Sequence, residues 1–290
     1  MMELDALRVF TQPKLTDTRL LMGLSGWMDG GDVSTGTIEW LVREFGAKAL
    51  ADIDPEPFYI YNFPGSMEIS ALFRPHTKIE GGLITAYVPP RNTFYCSDAN
   101  NLILFEGKEP NFGWDAYAEC ILAVASMFDV KMVYFIGSVA GTVPHTRDPR
   151  LFSSISDTRL KDELEQYGIR FSNYEGPASF VTLLLKLAAE RDLPMATLVA
   201  EIPAYVQGRN PRCIEALARK LAGILGLHVT LDELRNVSDV FERRLSEVVK
   251  EKDELAELIQ KLESDYDNEV FDTELGDLKD WLQQRGVSLD

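Results

Sequence analysis

Residues 133–147 read Val-Tyr-Phe-Ile-Gly-Ser-Val-Ala-Gly-Thr-Val-Pro-His-Thr-Arg, and this stretch indicates how the chain folds. An apolar, largely β-branched run ends in glycines and small residues, and the polar segment Pro144-His145-Thr146-Arg147 follows it. A buried strand of a parallel sheet has this pattern when it delivers a polar loop to the carboxyl end of the sheet. The stretch therefore predicts a central strand and a functional surface, without naming a reaction.

Apolar runs and amphipathic stretches alternate on both sides of this strand. Trp114 to Phe128 predicts a helix leading into it, and strand, helix, strand at this spacing is a crossover unit with parallel pairing. Asn210-Pro211 predicts the start of another helix and Gly226 its end, because Asn caps, Pro suits the first turn and Gly terminates. A short strand is also predicted from Phe58 to Tyr61. Residues 1–228 are therefore predicted to form one α/β domain, a sheet covered by helices.

Residues 229–290 are predicted to form a separate, acidic helical hairpin. Thr230-Leu231-Asp232-Glu233 predicts a capping box, and a last helix is predicted to begin at Asp272 or Thr273. From residue 230 onward there are 18 acidic and 8 basic residues, so −10 of the net charge of −17 lies in this tail. Two alternatives stay open. The hairpin packs on its own domain with a solvated outer face, or it forms a surface for another subunit or protein.

Composition excludes several classes of protein and partner. The net charge of −17 argues against nucleic acid or an anionic membrane surface as the main partner. The sequence has neither a signal-peptide pattern nor 18 uninterrupted apolar residues, and its three cysteines, Cys96, Cys120 and Cys213, form no Cys-x-x-Cys pair. A cytoplasmic protein with reduced thiols is expected. No histidines have metal-ligand spacing, so we expect neither a metal site nor a cofactor.

The segment after the opening strand offers the best candidates for chemistry. His145 can move a proton near neutral pH, and Arg147 can hold a carboxylate or phosphate through two parallel hydrogen bonds. Thr146 and Ser138 offer hydroxyl groups, and glycines such as Gly137 let backbone amides approach a ligand. The same segment equally fits a structural turn in which Arg147 pairs with one of the many carboxylates.

Four further segments are expected at the same edge of the sheet. In Asp29-Gly30-Gly31 the amides before a helix could bind an anion, although capping of that helix alone is the favoured explanation of the pattern. Candidate second carboxylates follow predicted strands or precede a predicted helix, and Gly141 could bring a backbone amide to the same cleft. These carboxylates are Glu106, Glu175 and Glu201. They could also be unconnected residues of separate loops.

Four further motifs accompany Pro144-His145-Thr146-Arg147, in an order that spans residues 20–267. The four are Gly26-x-x-Asp29-Gly30-Gly31, Glu106-Gly107-x-Glu109-Pro110, Pro203-x-Tyr205 before Asn210-Pro211, and Leu262-Glu263-x-x-Tyr266-Asp267. Through these motifs together the chain resembles the bacterial members of the proteasome assembly chaperone 2 family.

The resemblance implies a three-layer α/β/α domain of the nucleoside phosphorylase/hydrolase type, with a small helical tail. It also implies self-association, plausibly as a trimer. Some relatives carry a histidine where this chain has Ala204, so a catalytic pair of histidines is not implied here.

Two functions of different classes follow. The leading hypothesis is a chaperone-like assembly protein that self-associates, contacts another protein through its acidic tail, and has a ligand cleft at the strand ends. The alternative is an enzyme acting on a small anionic substrate, either phosphorylase-like or hydrolase-like, or an ATP-dependent carboxylate–amine ligase. In that alternative His145 is the acid or base, Arg147 binds the anion, and Glu106 or Glu201 is the second carboxylate.

Overall fold

The structure is a computed structural model that describes residues 5–71 and 73–284, with side chains described up to residue 269. In this part of the chain, strands and helices alternate through most of the sequence and two helices end it. The strands are β1 (Leu7–Val9), β2 (Thr18–Ser25), β3 (Lys48–Ile53), β4 (His76–Glu80), β5 (Leu83–Val88), β6 (Thr93–Ser97), β7 (Leu102–Lys108), β8 (Val130–Gly141), β9 (Leu151–Ser153), β10 (Arg170–Phe171) and β11 (Met195–Pro203). The helices are α1 (Val33–Glu44), α2 (Met67–Ala71), α3 (Trp114–Met127), α4 (Leu160–Glu165), α5 (Phe180–Ala189), α6 (Pro211–Leu225), α7 (Asp232–Lys250) and α8 (Asp253–Gln284).

Nine of these strands form one sheet in the order β1-β3-β6-β7-β2-β8-β11-β9-β10. The four central strands, β7, β2, β8 and β11, are parallel, as the crossover pattern predicts. Antiparallel strands extend the sheet on both sides, because β6 pairs antiparallel with β7 and β9 pairs antiparallel with β11. The prediction of a strand from Phe58 to Tyr61 is wrong, since this segment is a turn followed by irregular chain.

Helices cover both faces of the sheet, which confirms the α/β/α prediction. On one face, α3 and α5 bury Tyr117 and Phe180 against the strand residues Met22 and Phe105. On the other face, α1 and α6 bury Ile38 and Leu217 against Leu21, Leu104 and Ile136. The alternation of Leu21 and Met22 between the two cores follows from the two-residue period of a strand.

The predicted boundaries of α6 are confirmed. The Asn210 side chain accepts a hydrogen bond from the N–H of Cys213 at 3.1 Å, Pro211 opens the helix, and Gly226 follows it with a φ of 64°. This left-handed conformation is one that glycine adopts without steric cost. The three cysteines are unpaired and buried, as expected.

The C-terminal region consists of α7 and α8, and two predictions about it are wrong. Helix α8 runs from Asp253 to Gln284 as one element, so no separate helix begins near Asp272. Helix α7 begins at Asp232 with Leu231 as its N-cap, and Thr230 instead donates its backbone N–H to Glu44 at 2.8 Å. The division of the chain into domains at residue 228 stays a prediction. In the described part of the chain, no helix combines the length and the apolarity needed to cross a membrane.

Candidate functional site

The loops after the four central strands meet at one edge of the sheet, because parallel strands end on the same side. They follow Ser25 of β2, Lys108 of β7, Gly141 of β8 and Pro203 of β11. Two clusters of side chains form there, one around His145 and one around Asp29.

His145 is buried, with 2% of its surface exposed, and both ring nitrogens have partners. Nδ1 lies 2.8 Å from the hydroxyl of Tyr205, which also accepts the backbone N–H of His145 at 2.8 Å. Nε2 lies 3.1 Å from Oγ of Ser246 in α7. If the single Tyr205 proton goes to Nδ1, Nε2 carries the imidazole hydrogen and donates to Ser246, and the ring is neutral. Burial lowers the pKa of His145, which favours this neutral form.

Thr146 and Arg147 contact the last helix. The hydroxyl of Thr146 donates to the carboxylate of Glu263. The guanidinium of Arg147 donates to both oxygens of Asp267, each at 2.8 Å. This bidentate contact raises the pKa of Arg147 and lowers that of Asp267. Arg147 thus pairs with a carboxylate of its own chain, and its role in holding an anion stays a prediction.

A second ion-pair network continues from this loop. Arg150 lies 3.1 Å from Glu201 of β11, and its guanidinium stacks 4.7 Å from the ring centre of Tyr266 in α8. Glu269 of α8 bridges Arg150 and Arg170. The other oxygen of Glu201 accepts the N–H of Thr142 at 2.9 Å. Glu201 thus orders the loop through hydrogen bonds and links it to the tail through Arg150.

His145, Arg147 and Glu201 therefore lie around one space, but that space is small. Its volume is about 10 Å³, and Phe241 of α7 also lines it. This is about the lower limit for a single water molecule. With Phe241 of α7 in place, no substrate fits between these three residues.

The loop at Asp29 packs on the neighbouring strand. The carboxylate of Asp29 accepts hydrogen bonds from the backbone N–H and the hydroxyl of Thr35, at 3.1 and 2.8 Å, near the start of α1. Burial raises the pKa of Asp29 to about 6. Ser138 donates to the carbonyl oxygen of Gly30 at 2.6 Å. The Asp29 carboxylate therefore occupies the N-terminus of α1, where a bound anion was one of the two predictions.

The predicted glycines lie close to other chain segments. A Cβ on Gly31 would lie 2.9 Å from Asn210, one on Gly137 would lie 2.7 Å from Phe135, and one on Gly141 would overlap Glu201. Their lack of a side chain thus permits close packing between loops and strands.

The structure does not bring Glu106 and Glu175 to His145. Burial and the nearby Glu39 of α1 raise the pKa of Glu106, whereas the charged neighbours of His145 are Glu263 and Arg212. Glu175 is exposed, and in the described part of the chain it forms no hydrogen bond or ion pair with the His145 loop.

Glu109 was missed as a candidate residue. One of its carboxylate oxygens accepts the N–H of Trp27 at 2.8 Å, and the other accepts the N–H of Phe180 at 3.0 Å. It thereby joins the loops after β2 and β7 to the start of α5. Glu109 lies in the motif Glu106-Gly107-x-Glu109-Pro110, and its position in that motif was the sequence signal that could have identified it. Ser246 was also missed, because a serine within an amphipathic helix carries no distinguishing pattern.

A larger cavity of about 540 Å³ lies beside these loops on the α5 side of the sheet. Trp27 and Tyr174 stand at it with 69% and 68% of their surfaces exposed, and Val139 and Val199 line it from β8 and β11. None of the predicted site residues lines it, and no lining side chain is charged. Among the described residues, no cluster of three or more His, Cys, Asp or Glu side chains could hold a metal ion.

The motifs that carry the family resemblance thus meet in pairs or larger groups. Pro144-His145-Thr146-Arg147 contacts Tyr205 and the motif containing Glu263 and Asp267, while the loop containing Trp27 contacts Glu109. In agreement, the PAC2 family model matches residues 23–249. The chain belongs to the PAC2 family.

Solved structures extend this assignment. A PAC2 family protein from Streptomyces avermitilis is 25% identical, with a TM-score of 0.71, and the match covers 83% of this chain and 99% of that one. A proteasome-assembly chaperone homologue from Mycobacterium tuberculosis is 25% identical, with a TM-score of 0.70 and coverage of 83% and 100%. PbaB from Pyrococcus furiosus, an archaeal proteasome activator, is 20% identical, with a TM-score of 0.61 and coverage of 83% and 97%, which shows the shared fold. The comparison with curated proteins found no match.

Proposed function

We propose that this family member is a chaperone-like assembly protein that acts through protein–protein contacts and self-associates, as a trimer. The observation that carries the proposal is the hairpin of β4 and β5, which forms a sheet of its own. Ile79, Leu83, Ile84 and Tyr87 expose 60%, 73%, 69% and 59% of their surfaces. An isolated two-stranded hairpin is marginally stable in water, and an apolar surface of this kind marks an interaction site.

The charge of this region favours a second copy of the chain as its partner. Residues 60–90 contain two acidic and two basic residues and are neutral, while the chain carries −17. Copies of the chain can therefore meet at their hairpins without bringing like charges together, whereas contact through their acidic tails would be repulsive.

Light scattering after size-exclusion chromatography tests self-association. We expect the wild type to elute at three times the chain mass of 32.6 kDa, and the variant L83K/I84K to elute as a monomer with an unchanged circular dichroism spectrum. M127K is the matched control, because Met127 is 47% exposed on α3 and lies outside the hairpin. A monomeric wild type, or an oligomeric L83K/I84K variant, would refute the proposal.

The names of the relatives supply a candidate binding partner for the assembly role, the proteasome. We propose that the protein binds proteasome subunits before they assemble, with the outer face of the tail contributing. Val237, Val248 and Leu258 on that face are 49%, 51% and 49% exposed among acidic residues. Analytical ultracentrifugation of the protein with unassembled and with assembled proteasome subunits of the source organism should show a complex with the unassembled ones. If no complex forms with the unassembled subunits or with the assembled ones, this partner is rejected.

The cavity of about 540 Å³ favours a second candidate, the binding of a small molecule at the strand ends. Its uncharged lining suits a neutral, partly aromatic ligand such as a nucleoside better than the small anion of the enzyme alternative. To act on a substrate, the enzyme alternative would require α7 to move away from the small space that His145, Arg147 and Glu201 line.

A thermal-shift screen with nucleosides, amino acids and ATP–magnesium separates these possibilities. V139W, which fills the cavity from β8, should abolish a nucleoside shift, while H145A should abolish any shift that depends on the enzyme alternative. If no compound shifts the melting temperature, both the nucleoside candidate and the enzyme alternative are rejected.

A further inference from the structure

A cavity of about 210 Å³ lies where the segment Asp148–Leu151 meets the start of β10, helix α6 and helix α8. Four cationic side chains line it, and Asp148 is the one carboxylate among its lining residues. The four are Arg150, Arg170, Arg219 and Lys220. The lining thus has a net positive charge in a chain with a net charge of −17, although three more carboxylates, Glu201, Glu215 and Glu269, pair with these arginines from outside the lining.

The guanidinium groups of this cavity are held in place by two residues of its lining and by carboxylates outside it. Asp148 of the lining accepts a hydrogen bond from Arg219 at 3.0 Å. Glu201 and the ring of Tyr266 fix Arg150, whose side chain is 11% exposed. Glu269 orients Arg170. Glu215 lies 3.2 Å from Nε of Arg219. A guanidinium has five N–H donors, so each retains donors after these contacts, and fixed donors lose little entropy when they bind an anion.

Lys220 differs from the three arginines. Its ammonium group donates to the backbone carbonyl oxygen of Tyr167, and among the described residues no carboxylate lies within ion-pair distance of it. Burial and the neighbouring Arg219 lower the pKa of Lys220, since both disfavour its charged form. An anion in the cavity would offset both effects and accept the remaining ammonium hydrogens.

We propose that this cavity binds a small, doubly charged oxyanion, namely a phosphate group that is either free or carried by a small molecule. Its volume equals that of about seven water molecules, enough for a phosphate group with some of its hydration. Planar guanidinium donors around an ammonium suit the oxygens of phosphate. The site is separate from the uncharged cavity near Trp27 and does not depend on the proposed self-association.

Isothermal titration calorimetry with inorganic phosphate tests the proposal, with chloride used to keep the ionic strength constant. The wild type should bind, and K220Q and R170Q should each weaken the affinity at least tenfold. R170Q is the safer second variant, because Arg170 is 35% exposed on an edge strand. K131Q is the matched control, because Lys131 lies on β8 outside the cavity and is 52% exposed. It should bind phosphate like the wild type.

Two results would overturn the proposal. One is no heat of binding for the wild type at phosphate concentrations up to about 10 mM, where even weak sites fill. The other is equal affinity in the wild type, K220Q and R170Q, which would place the anion elsewhere. Glycerol 3-phosphate distinguishes the two sources of the ligand. Tighter binding than phosphate supports a carried group, and weaker binding supports the free ion.

Discussion

The hydroxyl of Tyr205 offers the sharpest test of the site, because one atom connects two loops and, through His145, the tail. It accepts the backbone N–H of His145 and lies within hydrogen-bond distance of Nδ1. Substitution Y205F removes this atom and preserves the ring, which lies edge-on to the imidazole at 5.9 Å. The backbone N–H of the buried His145 then loses its partner.

The magnitude follows from these two contacts. A buried donor left without a partner costs about 1–3 kcal/mol, and a neutral hydrogen bond contributes about 0.5–1.5 kcal/mol. We therefore expect Y205F to lower the free energy of unfolding by about 2 kcal/mol, which lowers Tm by about 4 °C in a chain of this size. Without the Tyr205 hydroxyl, no hydrogen bond at Nδ1 fixes the tautomer of His145. The contact of Nε2 with Ser246 should therefore weaken as well.

Two measurements check this expectation. Urea unfolding gives the stability, and hydrogen exchange read by mass spectrometry should show faster exchange in α7 and in the loop containing His145. Y174F is the matched control, since the hydroxyl of Tyr174 donates to the carbonyl oxygen of Pro177 on an exposed loop. It should change stability by less than about 0.5 kcal/mol. A Y205F protein as stable as Y174F, with unchanged exchange in α7, would refute the reasoning.

Two further predictions concern the attachment of the tail. R147D alone should speed amide exchange in α8. The double variant R147D/D267R should restore protection, because it reverses the bidentate pair without removing it. If protection is lost equally in both variants, the pairing does not attach the tail. Burial lowers the pKa of His145 below its ordinary 6.5, so the unfolded chain binds more protons just below that pH. The stabilisation from neutral His145 is therefore fully present above pH 6.5 and is lost as the pH falls through the folded-state pKa. Urea unfolding between pH 5 and 8 should show a smaller acid loss in H145Q than in the wild type, and H228Q, altered at an exposed histidine, should follow the wild type.

Local pattern was sufficient for the elements that position the site. α3 begins at the predicted Trp114, and α6 has its predicted caps. The strands β1, β6 and β9 were missed because they are short and extend the sheet from its sides, where one pairing partner outside the local sequence decides their conformation. Phe58 to Tyr61 has strand-like composition, yet it forms a turn whose Tyr59 hydroxyl lies 2.7 Å from Asn92.

The sequence predicted that the segment containing His145 follows a central strand, and it does, but the sequence did not predict the contacts that this segment makes. Arg147 and Asp267 are 120 positions apart, and a periodicity of three or four residues carries no information about such a pair. The acidic character of the tail and the candidate Arg147 were evident, but only the fold brings them together. For that reason the sequence suggested an open acid–base cleft where the structure has helix α7 over His145.

The distribution of charge also bears on how an acidic protein can associate with itself. The acidic tail uses Glu242, Glu263 and Asp267 on the arginines of its own chain, which neutralises part of its inner face. The apolar residues of the β4–β5 hairpin have no comparable use within the described chain. Ionic contacts are thus satisfied internally, and apolar area is left for contact between copies. Salt screens exposed ion pairs and leaves apolar contacts largely intact. Raising the salt concentration should therefore loosen the tail before it dissociates the proposed oligomer, whereas the reverse order would mean that charge holds the copies together.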